Sequence, residues 1–160
     1  MPVYLVRHAH AGSRAAWSGD DLHRPLSAKG RAQAESLRLR LGALSIGHLA
    51  SSPSRRCVET LEPLAAELGL EVEPRVEFLE GADPDIAVRT LLELATRNPV
   101  VSSHGDLIPK VIRRLVAGGM QTDTGAVSQK GSLWILDLDG DRVVRGRYEP
   151  PAPAATGVGS

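Results

Sequence analysis

The sequence of 160 residues has little cysteine, few aromatic side chains and no net charge. Its one cysteine, Cys57, excludes an internal disulfide framework and fits a reducing compartment, where we expect it to have a packing role. One Phe, two Trp and two Tyr argue against a rich platform for stacking bases. Lys plus Arg and Asp plus Glu number 19 each, which argues against non-specific binding of polyanions. Any positive field must therefore be local.

Long apolar runs are also missing from the chain. No segment approaches the roughly 18 apolar residues of a membrane span, and no basic segment followed by an apolar run opens the sequence. We therefore expect a cytoplasmic protein that does not bind membranes. Residues 150–160 consist mostly of Pro, Ala and Gly without periodicity, which predicts a disordered tail after one domain over 1–149.

Strand and helix patterns alternate along the rest of the chain. The patterns predict strands over 3–6, 46–51, 70–76 and 98–103, and helices within 27–44, 53–69, 83–97 and 107–119. Residues 132–149 alternate around Asp139-Gly140, which predicts a hairpin. This order indicates an α/β fold, a three-layer sandwich with a mainly parallel central sheet, helices on both faces and a C-terminal hairpin.

Polar residues follow three of the predicted strands. Arg7 and His8 come directly after the first, residues 52–56 after the second, and residues 103–105 after the fourth. Ligands of open parallel sheets bind at the carboxyl ends of the strands, so we expect these clusters to meet. Arginine matches the oxygens of a phosphoryl group, and a histidine kept neutral among cations can attack phosphorus. The pattern predicts a phosphoryl site at which His8 becomes a phosphohistidine.

Four segments carry a family resemblance. They are LVRHAHA (5–11), DDLHRPLSAKGRAQAE (20–35), SSPSRRCVET (51–60) and VVSSHGD (100–106). Together, and in this order, they resemble the motifs of the histidine phosphatase (phosphoglycerate-mutase-like) superfamily. The second segment is similar to one found in the short phosphohistidine phosphatases of the SixA type.

The resemblance implies a role for each matching residue. His8 would be the nucleophile. The pocket around the transferred phosphoryl group would be formed by Arg7, Arg56, His104 and Gly105. Arg56 matches the family arginine better than Arg55, because it directly precedes the small residue, here Cys57. The stretch between Thr60 and His104 is too short for the insertion that covers the site in the mutases, which implies an open pocket and hydrolysis.

Four other polar residues complete this scheme. Glu80 would be the acid that protonates the leaving group, with Glu77 in reserve. His10 is expected at the rim of the substrate pocket. Arg24 would either contact the substrate or pair with Asp20 or Asp21.

Two alternatives belong to other functional classes. The fold could serve as a non-catalytic module that holds a phosphorylated ligand. His8 and His10 could instead share a zinc ion, as in some metal-dependent hydrolases. Those enzymes use a (β/α)₈ barrel of about 250 residues, and Arg7 would repel a cation, so we expect no metal and no cofactor.

The substrate remains open at the level of sequence. Candidates are a phosphohistidine protein, a nucleotide and a sugar phosphate, while no nucleic-acid partner is expected. HAHAGSRAAWSGDD (8–21) and RRCVETLEPLAAEL (55–68) also resemble the phosphatase half of two-domain Nudix proteins that process nucleotides. Trp17, in the loop after the first strand, could supply one stacking face.

Overall fold

Strands and helices alternate through residues 1–153, the part of the chain that this computed structural model describes. The strands are β1 (Val3–Arg7), β2 (His48–Ser51), β3 (Val72–Pro74), β4 (Pro99–Ser103), β5 (Gln121–Thr122), β6 (Leu133–Asp139) and β7 (Arg142–Glu149). The helices are α1 (Ala28–Leu41), α2 (Arg55–Leu68), α3 (Pro84–Leu94) and α4 (Leu107–Ala117). Of the tail expected over 150–160, residues 154–160 lie outside the described residues.

The helices begin and end at the residues that local chemistry favours. The Ser27 hydroxyl accepts a hydrogen bond from the Gly30 N–H (3.0 Å) at the start of α1. The Asp83 carboxylate accepts one from the Asp85 N–H (2.8 Å) ahead of α3, whose first residue is a proline. Gly69 ends α2 in the left-handed conformation, with φ of 66°.

All the strands belong to one sheet with the order β3-β2-β4-β1-β6-β7-β5. The pairs β1–β4, β2–β3, β2–β4 and β5–β7 are parallel, whereas β1–β6 and β6–β7 are antiparallel. The predicted mainly parallel sheet and the hairpin around Asp139-Gly140 are therefore confirmed. The two-residue strand β5 was not predicted, because it is too short to show alternation.

The sheet lies between two layers of helices. On one face, α1 and α2 pack through Leu37, Leu41, Leu61 and Leu64. On the other, α3 and α4 pack through Leu91, Leu94, Ile108 and Ile112. Successive residues of β1 point to opposite faces, with Leu5 in the second cluster and Val6 in the first. The predicted three-layer architecture is confirmed.

Two element boundaries differ from the sequence prediction. The strand expected over 70–76 is limited to Val72–Pro74, because Val76–Phe78 form a 3₁₀ turn. The helix expected to reach residue 97 ends at Leu94 and continues as a 3₁₀ turn over Ala95–Arg97. Across residues 1–153, no helix combines the length and the apolar character needed to cross a membrane.

Candidate active site

The two central strands bring the two candidate histidines together. β1 and β4 pair in a register that places Arg7 opposite Ser103, so His8 and His104 follow adjacent strand ends. The backbone N–H of His8 donates to the Ser103 carbonyl (2.9 Å). The imidazole centroids lie 5.5 Å apart in an edge-to-face arrangement, and the two residues are 6% and 1% exposed.

The start of α2 supplies the next cation. β2 lies beside β4, so the first turn of α2 opens at the same sheet edge. Arg56 is 2% exposed, whereas the Arg55 side chain is 52% exposed and donates to the Glu59 carboxylate (2.8 Å). The Thr60 hydroxyl accepts from the Ala9 N–H (2.9 Å), which ties α2 to the loop after β1. The structure thus places Arg56 in the site and leaves Arg55 on the surface.

These residues line a pocket of about 320 Å³, which we call the phosphoryl pocket. Its charged and imidazole side chains are Arg7, His8, Arg14, Arg24, Arg56, Glu80, His104, Asp106 and Lys130, and Gly12, Ser13 and Gly105 complete its wall. Five cationic side chains face two carboxylates there, although the whole chain is neutral. The expected local positive field is present at this edge of the sheet.

The His8 ring has one free nitrogen. Its Nδ1 lies 2.8 Å from the Ala9 carbonyl oxygen, which can only accept, so we assign the ring proton to Nδ1 and the lone pair to Nε2. Burial lowers the pKa of His8 to about 3, and the charges of His104, Arg56 and Arg7 act in the same direction. His8 is therefore a neutral imidazole at pH 7, the form in which Nε2 is nucleophilic.

His104 is held by one group from the loop after β2 and one from α2. Its Nε2 lies 2.8 Å from the Ser52 hydroxyl and 3.5 Å from the Cys57 sulfur. Burial lowers the pKa of His104 to about 4, and the Arg56 charge contributes. Burial also raises the pKa of Cys57 to about 12, so the thiol stays protonated and packs behind the imidazole.

The Arg7 side chain packs against Gly105. Its Nη1 donates to the Ser128 carbonyl (2.5 Å), and its guanidinium passes over Gly105. A Cβ atom at position 105 would lie 2.4 Å from Arg7 Cζ and 2.7 Å from Nε. Gly105 therefore belongs to the pocket because it has no side chain, and any larger residue would displace Arg7.

Two guanidinium groups of the pocket each have one N–H donor that is not used by the described residues. The Nε atoms of Arg7 and Arg56 are buried and have no hydrogen-bond partner within the described residues. The terminal nitrogens of Arg56 contact Asp21, at 2.9 Å to its carbonyl and 3.2 Å to its carboxylate. Unpartnered buried donors are costly, and the oxygens of an anion in the pocket would satisfy them.

Glu80 reaches the phosphoryl pocket, and Glu77 does not. Both carboxylate oxygens of Glu80 accept from Arg14 Nη2 (3.0 Å each), and one lies 3.7 Å from Arg56 Nη2. The Asp106 carboxylate accepts a hydrogen bond from the backbone N–H of Gly81 (2.8 Å), the residue after Glu80, and this bond anchors the loop. Glu77 is outside the pocket lining, where the hydrogen bond from Arg75 holds its pKa below the ordinary value.

Arg24 lies in the pocket wall and also pairs with an aspartate. Its Nε donates to the Asp21 carboxylate (2.9 Å), and its Nη1 donates to the Ala11 carbonyl (2.9 Å). Asp21 therefore binds Arg24 and Arg56, and it lies 3.3 Å from Arg14 as well. One carboxylate fixes three cations of the site in place.

The structure places His10 beside the start of α1, and its role at the pocket rim stays a prediction. His10 is absent from the pocket lining, and its Nδ1 lies 2.7 Å from the Ser27 hydroxyl at the start of α1. The reason is the close approach of α1, because a Cβ at Gly30 would lie 1.9 Å from the His10 carbonyl oxygen. Within residues 1–153 no three His, Cys, Asp or Glu side chains cluster as metal ligands, so a zinc shared by His8 and His10 has no ligand set there.

Sequence reasoning missed Arg14 and Lys130. Arg14 lies in a 3₁₀ turn after β1, outside the four motif segments, and only the wider resemblance over residues 8–21 includes it. Lys130 precedes β6 and is brought in because β6 pairs with β1, where the Arg7 N–H donates to the Ser132 carbonyl (3.1 Å). Burial lowers the pKa of Lys130, and Arg7 adds to the effect. Placing the predicted hairpin beside β1 would have revealed it.

Comparison with known proteins agrees with this geometry. Residues 3–97 match the family model of the histidine phosphatase superfamily (branch 1). The chain belongs to this superfamily. It is 39% identical over 155 residues to 8-oxo-(d)GTP phosphatase of Mycolicibacterium smegmatis, a match that covers 93% of this chain and 48% of the relative. The chain thus spans about half the length of that curated relative.

Solved members of the superfamily share the fold. The protein histidine phosphatase SixA complexed with tungstate superposes with a TM-score of 0.71 at 22% identity, over 94% of this chain and 95% of that one. A mycobacterial glucosyl-3-phosphoglycerate phosphatase in complex with VO₃ gives 0.70 at 18% identity, over 93% and 97%. The expected superfamily is confirmed.

Proposed function

We propose that this phosphatase hydrolyses its substrate through a covalent phosphohistidine on His8, without a metal ion. The observation that carries the proposal is the His8 ring, neutral and with Nε2 unprotonated, in a pocket lined by five cationic side chains. A neutral imidazole is a competent nucleophile, and fixed cations stabilise the charge on the transferred phosphoryl group.

The reaction would proceed in two displacements. Nε2 forms a bond to phosphorus while the bond from phosphorus to the leaving group breaks, and the leaving group takes a proton. The resulting cationic ring keeps its Nδ1–H on the Ala9 carbonyl, which stabilises the positive charge. Water then attacks phosphorus, the P–Nε2 bond breaks, inorganic phosphate leaves, and Nε2 regains its lone pair.

The cations act on the transferred group in both steps. The free Nε donors of Arg7 and Arg56 and the His104 ring are fixed before the substrate arrives, so little reorganisation is needed. Glu80 would give its proton to the leaving group and later accept one from water. An incoming phosphoryl anion would compete with Glu80 for Arg56.

Three substrate classes are compatible with this chemistry: phosphohistidine proteins, sugar phosphates and nucleotides. The relative named 8-oxo-(d)GTP phosphatase supports nucleotides, and SixA supports phosphohistidine. All three would place one phosphoryl group against His8.

Trapping the intermediate tests the proposal. Purified protein in excess EDTA is mixed with ³²P-labelled acetyl phosphate and quenched within milliseconds. We expect label that is stable in base and labile in acid, and vanadate inhibition of p-nitrophenyl phosphate hydrolysis. His8→Ala should lose the label and several orders of magnitude of turnover, whereas His48→Ala, at the far end of β2, should keep both.

Turnover retained by His8→Ala would refute the covalent mechanism. Wild-type protein that binds vanadate but turns over no substrate would instead support the non-catalytic binding module.

A further inference from the structure

A second cavity of about 250 Å³ adjoins the phosphoryl pocket. Gly12, Ser13 and Arg24 line both, so the two share a wall. The rest of this side groove includes Trp17 and Leu26 and is largely apolar. A ligand held in the phosphoryl pocket can therefore extend into an apolar space without leaving the protein surface.

Trp17 is placed to contact a planar group. It follows the 3₁₀ turn Arg14–Ala16 and is half-buried. The indole Nε1 donates to the Asp20 carbonyl (3.0 Å), so the ring is fixed by its edge. Aromatic faces stack on nucleobases of any sequence, because every base has a π-face.

The phosphoryl pocket holds more positive charge than one phosphoryl group needs. Arg7 and Arg56 supply the positive charge for the transferred group, and the His104 ring lies beside them. Lys130 lies in the same pocket and forms no ion pair within residues 1–153, and its lowered pKa reflects burial and the surrounding cations. With Arg24 on the shared wall, Lys130 offers a second cation that a further phosphate could bind in the same pocket.

We infer that the substrate is a nucleotide with at least two phosphates. Its terminal phosphoryl group would lie against His8, the next phosphate against Lys130 and Arg24, and its base against Trp17. This inference rests on the proposed function, because it places the terminal phosphate at the nucleophile. A phosphohistidine peptide or a sugar monophosphate has no second phosphate for Lys130, so the unpaired cation favours the nucleotide.

The experiment compares two substrates that share a phosphoanhydride bond. GDP has a base and inorganic pyrophosphate has none. Trp17→Ala should lower kcat/KM for GDP by about 5- to 150-fold, the range that base stacking supplies, and lower it much less for pyrophosphate. Trp17→Phe, which keeps an aromatic face, should recover most of the GDP activity.

Lys130→Met tests the second phosphate. It should reduce kcat/KM for GDP and pyrophosphate by about tenfold or more, and reduce it less for p-nitrophenyl phosphate, which has one phosphate. Lys110→Met is the matched control, since Lys110 is exposed on α4, away from both cavities, and all three substrates should keep wild-type rates.

The outcomes separate this inference from the proposed function. Equal losses on GDP and pyrophosphate in Trp17→Ala would overturn the inference. A phosphohistidine peptide turned over faster than GDP and unaffected by Trp17→Ala would also overturn it. In both cases p-nitrophenyl phosphate would still be hydrolysed through His8. If the wild-type protein hydrolyses none of these substrates, the proposed function itself fails.

Discussion

Replacing Gly105 with alanine should displace the Arg7 guanidinium although Arg7 itself is not substituted. A Cβ at this position would lie 2.4 Å from Arg7 Cζ, 2.7 Å from Nε and 2.8 Å from Nη1. Real carbon atoms do not approach so closely, so the guanidinium must leave its place and its bond to the Ser128 carbonyl. Loss of one preorganised donor typically costs about 10²- to 10³-fold in rate, or about 3 to 4 kcal/mol. We expect that loss in kcat/KM.

The assay is p-nitrophenyl phosphate hydrolysis, with thermal melting to check the fold. The matched control is Gly125→Ala, because the added Cβ would meet nothing within 4 Å. In an Arg7→Ala background, Gly105→Ala should cost little more, since its target is already gone. Wild-type kcat/KM in Gly105→Ala, or full additivity of the two changes, would refute the reasoning.

Three further predictions follow from the site. Arg56→Ala should cost about 2 to 4 kcal/mol in transition-state stabilisation, whereas Arg55→Ala, on the surface, should cost far less; kcat/KM of the two variants measures this. Glu80→Gln should slow the hydrolysis of a sugar phosphate by about 10²- to 10⁴-fold and barely slow that of p-nitrophenyl phosphate. If Glu77→Gln shows this dependence on the leaving group instead, Glu77 is the general acid. His8 has a folded pKa of about 3 against 6.5 unfolded, so its stabilising contribution is complete above pH 6.5 and is lost as pH falls toward 3. Between pH 7 and pH 5, the free energy of unfolding measured with urea should fall by about 2 kcal/mol more in wild type than in His8→Asn.

The sequence predicted the part of the site that is carried by strand ends. Arg7 ends β1, and His8 and His104 directly follow β1 and β4, which are neighbours in the sheet, so local pattern and tertiary position agree. Arg56 was distinguishable from Arg55 only through the family resemblance, because both begin the same helix. Burial then separates them, with Arg56 inside and Arg55 exposed.

The remainder of the site depends on contacts between distant segments. Lys130 lies in the site only because β6 pairs antiparallel with β1. Local periodicity predicts strands but not their order in the sheet, so it could not place Lys130. Arg14 enters through its ion pair with Glu80, 66 residues away. The contacts of His10 could not be predicted either, because its spacing from His8 says nothing about the approach of α1 through Gly30.

The central position of β1 has a consequence for biosynthesis. β1 is synthesised before both of its neighbours in the sheet, β4 at 99–103 and β6 at 133–139. Both edges of this apolar strand stay unpaired until those segments have been made, and such long-range pairing slows folding and exposes the strand to aggregation. A nascent chain arrested after residue 97 would carry His8 and Arg56 but no pocket. The pocket should therefore form abruptly, when β6 pairs with β1.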